Sequence, residues 1–215
     1  QKIPIVWGGS GTNWSFKKSI ILPEIEPDQH LRLYFHLGDP EDRTACESLL
    51  YVNEKRYFGL DHFHKSFTLP KEFTTNRQIE IEILSFGGIL DKKYIFDQAE
   101  LCIEDIKVLD LSHWLVTIAE ATELISEDDV ARYKMIELLN ETYKKIDLFS
   151  TGSSEFYKSI EDALSYLTRS IDNLPSDMFV PKVKILGHSH IDLAYLWQIE
   201  HTRRKSIHTF TTVLS

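Results

Sequence analysis

Two histidines and an aspartate lie close together near the C-terminal end of the chain. They occupy alternate positions in the segment Gly187-His188-Ser189-His190-Ile191-Asp192. Side chains alternate along an extended segment, so His190 and Asp192 are predicted to project from the same side. Imidazole nitrogen and carboxylate oxygen are both good zinc ligands, and a catalytic zinc takes about three protein ligands and keeps one position open. The spacing therefore indicates a metal site that includes His190 and Asp192 and is completed by other residues.

The same residue types are compatible with two other interpretations. A metal-dependent amidohydrolase would use both His188 and His190 as metal ligands. The cluster could instead cap a helix without binding metal, since Asp192 precedes the apolar segment 193–197 and aspartate is a favoured N-cap residue. Spacing alone does not separate these three interpretations.

A strand and a helix must hold this cluster in place. Residues 182–187 are predicted to form the strand, 188–192 the loop after it, and the helix to begin at about Leu193. This order is typical of the first unit of an α/β domain, in which active sites lie at the carboxyl ends of strands. One such unit cannot bury both faces of a parallel strand. We therefore expect the first unit of a truncated α/β barrel, with exposed apolar side chains at Val183, Ile185 and Leu186.

The residues before this unit divide into two regions of different periodicity. Residues 1–112 contain short alternating runs bounded by turn residues, which predict a β-sandwich. Within that region a hairpin is expected to turn at Asn53-Glu54, and residues 100–111 form a last extended run. Residues 113–174 have apolar side chains at helical spacing and predict about three helices. The predicted fold is mixed, and residues 175–215 form the linker and the incomplete catalytic unit.

Composition restricts the possible functions of the chain. The net charge of −9 over 215 residues argues against a general affinity for nucleic acid or for anionic membranes. No segment approaches the roughly 20 apolar residues of a membrane span, and the N-terminus lacks the pattern of a signal peptide. Cys46 and Cys102 are expected to be free thiols in buried strands. We therefore expect a cytoplasmic protein with neither a nucleic-acid nor a membrane partner.

The C-terminal segment resembles a known family of enzymes. Residues 187–197, followed by 202–205 and Thr209-Phe210, are similar to the pattern G-H-x-H-I-D-x-A-W-L-W-P, E-T-x-R-K and T-F. That pattern opens the catalytic domain of the α-mannosidases of glycoside hydrolase family 38. A looser similarity covers residues 49–53 and 59–64, which resemble the N-terminal sandwich of the same family.

The resemblance implies a metal and a reaction. It implies that His190 and Asp192 bind zinc, for which cobalt is a chemically suitable substitute, and that zinc holds O2 and O3 of a mannose. The family is retaining and uses two carboxyl groups about 5 Å apart. The nucleophile and the acid/base are expected beyond Ser215, so no catalytic residue is assigned within this chain.

The resemblance also implies roles for neighbouring residues and partners. Tyr195 stands where the family has a sugar-facing tryptophan and is expected to bind substrate, and His188 is expected to orient a metal ligand through a hydrogen bond. His62 and His64 imitate a metal pair but are predicted to be structural. The implied partners are α-mannoside oligosaccharides, the remainder of the catalytic domain and, in the full-length protein, further copies of the same chain. The alternative function is a non-catalytic carbohydrate-binding or structural module.

Overall fold

The computed structural model describes residues 2–38, 47–75, 77–173, 184–188, 190–193 and 198–214. The strands in these ranges are β1 (Ile5–Gly8), β2 (Asn13–Ile21), β3 (Gln29–His36), β4 (Ser48–Val52), β5 (Lys55–Leu60), β6 (Ser66–Thr68), β7 (Gln78–Phe86), β8 (Lys93–Phe96) and β9 (Gln98–Asp105). The helices are α1 (Glu72–Thr75), α2 (Ile106–Leu124), α3 (Val130–Tyr143), α4 (Ser154–Asp172) and α5 (Ile199–Leu214). Within the described ranges, no helix combines the length and apolar character needed to cross a membrane.

The chain divides into two compact units. One contains residues 1–103 together with 187–215, and the other contains residues 104–186. The boundaries predicted from the sequence, at 112 and 174, stay predictions. The predicted mixed class is confirmed at the level of antiparallel sheets combined with helices.

The first unit is built on three sheets that share one hydrophobic core. The strand orders are β2-β7-β4-β5, β6-β3-β9 and β1-β8. β7 shows how the sequence produces the sheet, because its side chains alternate between exposed or half-buried and buried, with Ile79, Ile81 and Ile83 in the core. Leu33 and Phe35 of β3 belong to the same buried cluster. Burial of one face per strand therefore fixes the register of the sheets.

The β4–β5 hairpin turns where the sequence predicts. Asn53 and Glu54 have φ values of 49° and 65°, as a two-residue hairpin turn of the primed type requires. The Asn53 side chain accepts a hydrogen bond of 2.9 Å from the backbone N–H of Glu80 in β7. The hairpin is thus attached to the central part of the four-stranded sheet.

The second unit begins where an extended run was predicted to continue. β9 ends at Asp105 and α2 begins at Ile106, so the prediction of an extended segment through Leu111 is wrong after Asp105. The Asp105 carboxylate accepts a hydrogen bond of 3.0 Å from the N–H of Val108 and caps the helix. Leu111 and Ile118 of α2 then pack in a separate core with side chains of α3 and α4.

A strand is predicted at residues 182–187, but residues 184–187, which the structure describes, do not form one. Residues 184–188 have no regular secondary structure, and Ile185 and Leu186 are 92% and 84% exposed. A strand requires a neighbour that accepts and donates its backbone hydrogen bonds, and none pairs with this segment among the described residues. Lys182 and Val183 lie outside the described residues.

The predicted C-terminal helix forms, but its described part begins later than expected. α5 starts at Ile199 rather than at Leu193, where the carbonyl of Gln198 accepts hydrogen bonds from His201 and Thr202. Residues 194–197 lie outside the described residues. Cys102 is a free, half-buried thiol rather than a buried one, and Cys46 lies outside the described residues.

Candidate metal site and the contacts of the C-terminal helix

His190 and Asp192 face each other. The His190 Nε2 atom lies 2.7 Å from the Asp192 Oδ1 atom, and their side chains are 73% and 44% exposed. Two ligand atoms on a tetrahedral zinc, each at about 2.0–2.1 Å from the metal, are separated by about 3.3 Å. A small separation of the two groups would make Nε2 and Oδ1 both available to a metal, which binds imidazole and carboxylate in their deprotonated forms. The pair therefore fits two adjacent positions of a metal site.

The described residues do not complete such a site. Within them, no group of three or more histidine, cysteine, aspartate or glutamate side chains could hold a metal ion. His188 is exposed, and among the described residues no hydrogen bond joins it to His190 or Asp192, so its orienting role stays a prediction. Tyr195, the predicted sugar-binding residue, lies outside the described residues. The described residues thus bring together two candidate ligands of the three or more that a catalytic zinc needs.

The helix that follows this pair contacts the four-stranded sheet through polar side chains. The Glu47 carboxylate, just before β4, forms an ion pair with Lys205, and its Oε2 atom lies 3.9 Å from the His201 Nε2 atom. Arg204 donates a 2.7 Å hydrogen bond from Nη1 to Asn13 at the start of β2. Its guanidinium lies 4.3 Å from the centre of the Phe86 ring. α5 is therefore attached to three strand ends of the sheet.

Further along α5, contacts to β5 continue on the same helical face. The buried His208 lies with Nε2 at 3.1 Å from the carbonyl oxygen of Leu60, and Thr212 Oγ1 lies 3.5 Å from the carbonyl oxygen of Gly59. Residues 201, 204, 205, 208 and 212 recur at the spacing of one helical face. The opposite face is exposed and includes Ile199, Phe210 and Val213 at 59%, 60% and 71%, together with the charged Arg203.

Burial and charge shift the ionisation of two groups in these contacts. Burial lowers the pKa of His201, with help from Lys205 and Arg204 and against the effect of Glu47. For Asp61, burial opposes ionisation, but hydrogen bonds from the His64 side chain and from backbone N–H groups outweigh it and lower its pKa.

One of the two loop histidines, His64, takes part in a local turn with Asp61. Asp61 accepts hydrogen bonds from the N–H groups of Phe63 and His64 at 2.7 and 2.8 Å, and the His64 ring nitrogen Nδ1 lies 2.9 Å from its Oδ1. These contacts close a local turn, as the predicted structural role of His64 requires. His208 Nε2 approaches the same carboxylate at 3.8 Å.

A cleft lies between α5 and the sheet. Its volume is about 410 Å³. The lining combines aliphatic, aromatic, hydroxyl and charged side chains and consists of Asn13, Trp14, Ser15, Glu47, Ser48, Leu49, Leu84, Ser85, Phe86, Arg204 and His208. This cleft and the role of Glu47 could not be predicted from the sequence, because the contributing residues are separated by about 30 to 190 positions along the chain.

Comparison with known proteins identifies the class to which the C-terminal segment is similar. The family model described as "Glycosyl hydrolases family 38 N-terminal domain" matches residues 180–215, the part that contains His190, Asp192 and α5. The resemblance of this chain to the N-terminal portion of a family 38 glycoside hydrolase is therefore confirmed.

One relative extends this similarity over nearly the whole chain. "Alpha-mannosidase G" of Dictyostelium discoideum is 23% identical over 230 residues, which cover 98% of this chain and 20% of the relative. The chain thus spans about a fifth of the length of the curated relative that it matches.

Proposed function

We propose that this chain is the N-terminal portion of a zinc-dependent, retaining α-mannosidase that removes terminal α-mannosyl residues from oligosaccharides. The observation that carries the proposal is the coincidence of two findings in one segment. The family match covers residues 180–215, and within it His190 Nε2 and Asp192 Oδ1 approach to 2.7 Å. The similarity to a protein named as an α-mannosidase favours mannosides as the substrate class.

His190 and Asp192 have defined tasks in this proposal. They would hold the metal through Nε2 of His190 and Oδ1 of Asp192. When bound, zinc would supply a Lewis-acid centre that chelates the O2 and O3 hydroxyls of mannose. Tyr195 offers an aromatic face against which the sugar ring stacks. The remaining ligands, the nucleophile and the acid/base come from residues beyond Ser215.

Exposed apolar side chains at residues 185–186 and on α5 support an α/β barrel as the rest of the catalytic domain. Ile185 and Leu186 are 92% and 84% exposed, and Ile199, Phe210 and Val213 of α5 are 59%, 60% and 71% exposed. Exposed apolar patches of this kind mark surfaces that another part of a protein covers. In the proposal, residues 182–187 form the first strand of the barrel once neighbouring strands supply hydrogen-bond partners.

The test uses an open reading frame that includes this chain and continues past Ser215. Hydrolysis of an aryl α-mannoside and zinc content are measured for the parent protein and for His190→Ala and Asp192→Ala. Each substitution is expected to lower kcat/KM by about 10³-fold or more and to reduce bound zinc, because a direct ligand is removed.

His113→Ala is the matched control, since His113 is an exposed histidine on α2. It should leave both activity and zinc content unchanged. Full activity in either ligand variant, or a parent protein that hydrolyses aryl mannosides without bound metal, would refute the proposed roles of His190 and Asp192.

A further inference from the structure

We infer that the cleft between α5 and the four-stranded sheet is a second saccharide-binding site, separate from the His190–Asp192 pair. It takes a neutral, polyhydroxylated sugar and has no part in bond cleavage. The choice of mannose as the probe rests on the proposed function. The cleft has a volume of about 410 Å³, within the range of about 300–1,000 Å³ that is typical of small-ligand sites.

Two leucine side chains form the floor of the cleft on a sheet face that is otherwise mostly polar. On the outer face of β7, Glu80 and Glu82 precede Leu84, which is 38% exposed. Leu84 pairs with Ser15 on one side and with Leu49 on the other. Outer faces of antiparallel sheets normally have polar side chains, so two adjacent leucines here form a local apolar platform. The C–H face of a pyranose ring is the part of a sugar that such a platform accommodates.

The walls of the cleft offer hydrogen-bond donors and acceptors together. Arg204 donates to Asn13 at 2.7 Å, and stacking against Phe86 at 4.3 Å holds its guanidinium plane in place. Arginine has five N–H donors, and the asparagine amide adds further donors. Glu47 lines the same cleft and contributes carboxylate acceptors. A preorganised guanidinium costs less side-chain entropy on binding than a mobile one.

Charges of both signs line the cleft. Glu47 and Arg204 are both lining residues, and Glu47 is paired with Lys205, so an anionic ligand would meet the carboxylate and a cationic one would meet the guanidinium. A like charge placed in such a site is unfavourable. A neutral sugar avoids both conflicts, because its hydroxyl groups accept from Arg204 and donate to Glu47. The lining contains neither His190 nor Asp192, so binding here does not require the metal.

The test measures binding of methyl α-mannoside and an α-linked mannobiose to the 215-residue chain in the presence of EDTA, by ligand-observed NMR and titration calorimetry. We expect weak binding that persists without metal. Leu84→Arg fills the cleft from its floor and should weaken binding at least tenfold. Ile21→Arg is the matched control, because Ile21 is a 75% exposed apolar residue on the same face at the far end of the sheet. It should change the affinity by less than twofold.

A His190→Ala/Asp192→Ala double variant separates this inference from the proposed function. Retention of binding by the double variant, with loss in Leu84→Arg, supports the second site. Loss of binding in the double variant, with binding retained in Leu84→Arg, places the sugar at the predicted metal site and overturns the inference while the mannosidase proposal stands. Absence of binding to the unmodified chain also overturns it, whereas activity of the parent protein is decided independently.

Discussion

Gly59 of β5 provides a direct test of how α5 lies on the sheet. A Cβ atom added at this position would overlap the Thr212 hydroxyl and would lie 2.9 Å from both Cδ2 and Nε2 of His208. Ordinary contacts of a Cβ atom begin at about 3.4 Å, so α5 would have to move by roughly half an ångström or more. Gly59→Ala is therefore expected to lower the free energy of unfolding by about 1–3 kcal/mol, as overpacking of a tight interface does.

The assay combines urea unfolding with hydrogen exchange of the α5 amides. The expected result is a lower unfolding midpoint together with faster exchange in residues 199–214. Gly187→Ala is the matched control, because a Cβ atom there meets nothing within 4 Å. It should leave both measurements close to those of the unmodified chain.

Thr212→Ala tests the source of the overlap, since it removes the hydroxyl that the new Cβ atom would strike. The double variant Gly59→Ala/Thr212→Ala should recover part of the lost stability, and the double-mutant cycle should show coupling of at least about 0.5 kcal/mol. Gly59→Ala with unchanged stability and unchanged exchange in α5 would refute the close approach of α5 to β5.

Two further predictions concern the described contacts. Asp129→Ala removes the carboxylate that accepts a 2.8 Å hydrogen bond from the N–H of Ala131 at the start of α3, and it should lower the free energy of unfolding of the helical unit by about 0.5–2 kcal/mol. Asp128→Ala changes the exposed neighbouring position and should leave this free energy unchanged. Equal effects of the two substitutions in a thermal melt would contradict the role of Asp129 as the helix cap. The pKa of Asp61 is held below its ordinary value of 3.8, so its ionised form stabilises the folded state at higher pH and this stabilisation is lost as the pH falls through the lowered pKa. The difference in the free energy of unfolding between the unmodified chain and Asp61→Asn should therefore be largest near neutral pH and shrink below about pH 4. A difference that grows on acidification would contradict the lowered pKa of Asp61.

The sheets and the hairpin were predictable because their signals are local. The alternation in β7 and the turn at Asn53-Glu54 each depend on residues only a few positions apart. The β9–α2 junction was not predictable in the same way, because a short apolar run such as 106–111 suits a strand or a buried helical turn equally well. The Asp105 cap decides between them in the structure.

The candidate site shows the same division. The approach of His190 to Asp192 follows from their two-residue spacing, which the sequence displays directly. Contacts of His201 and Lys205 with Glu47, and of His208 with Leu60, join residues about 150 positions apart. The strand predicted at 182–187 depends on neighbouring strands, so local sequence cannot determine its pairing.

The orientation of α5 has a consequence for how its position along the sheet is determined. Most helices place an apolar stripe against the core and a polar face toward solvent, whereas α5 places its polar stripe against the sheet. Apolar contacts tolerate sliding, but directional hydrogen bonds do not. A shift by one turn, about 5.4 Å, would bring Arg204 or Thr212 to the carbonyl of Leu60 in place of His208. Such a shift would also separate Arg204 from Asn13 and Lys205 from Glu47, so these contacts together favour one register, while the exposed apolar side chains of α5 remain available for contacts that need no specific alignment.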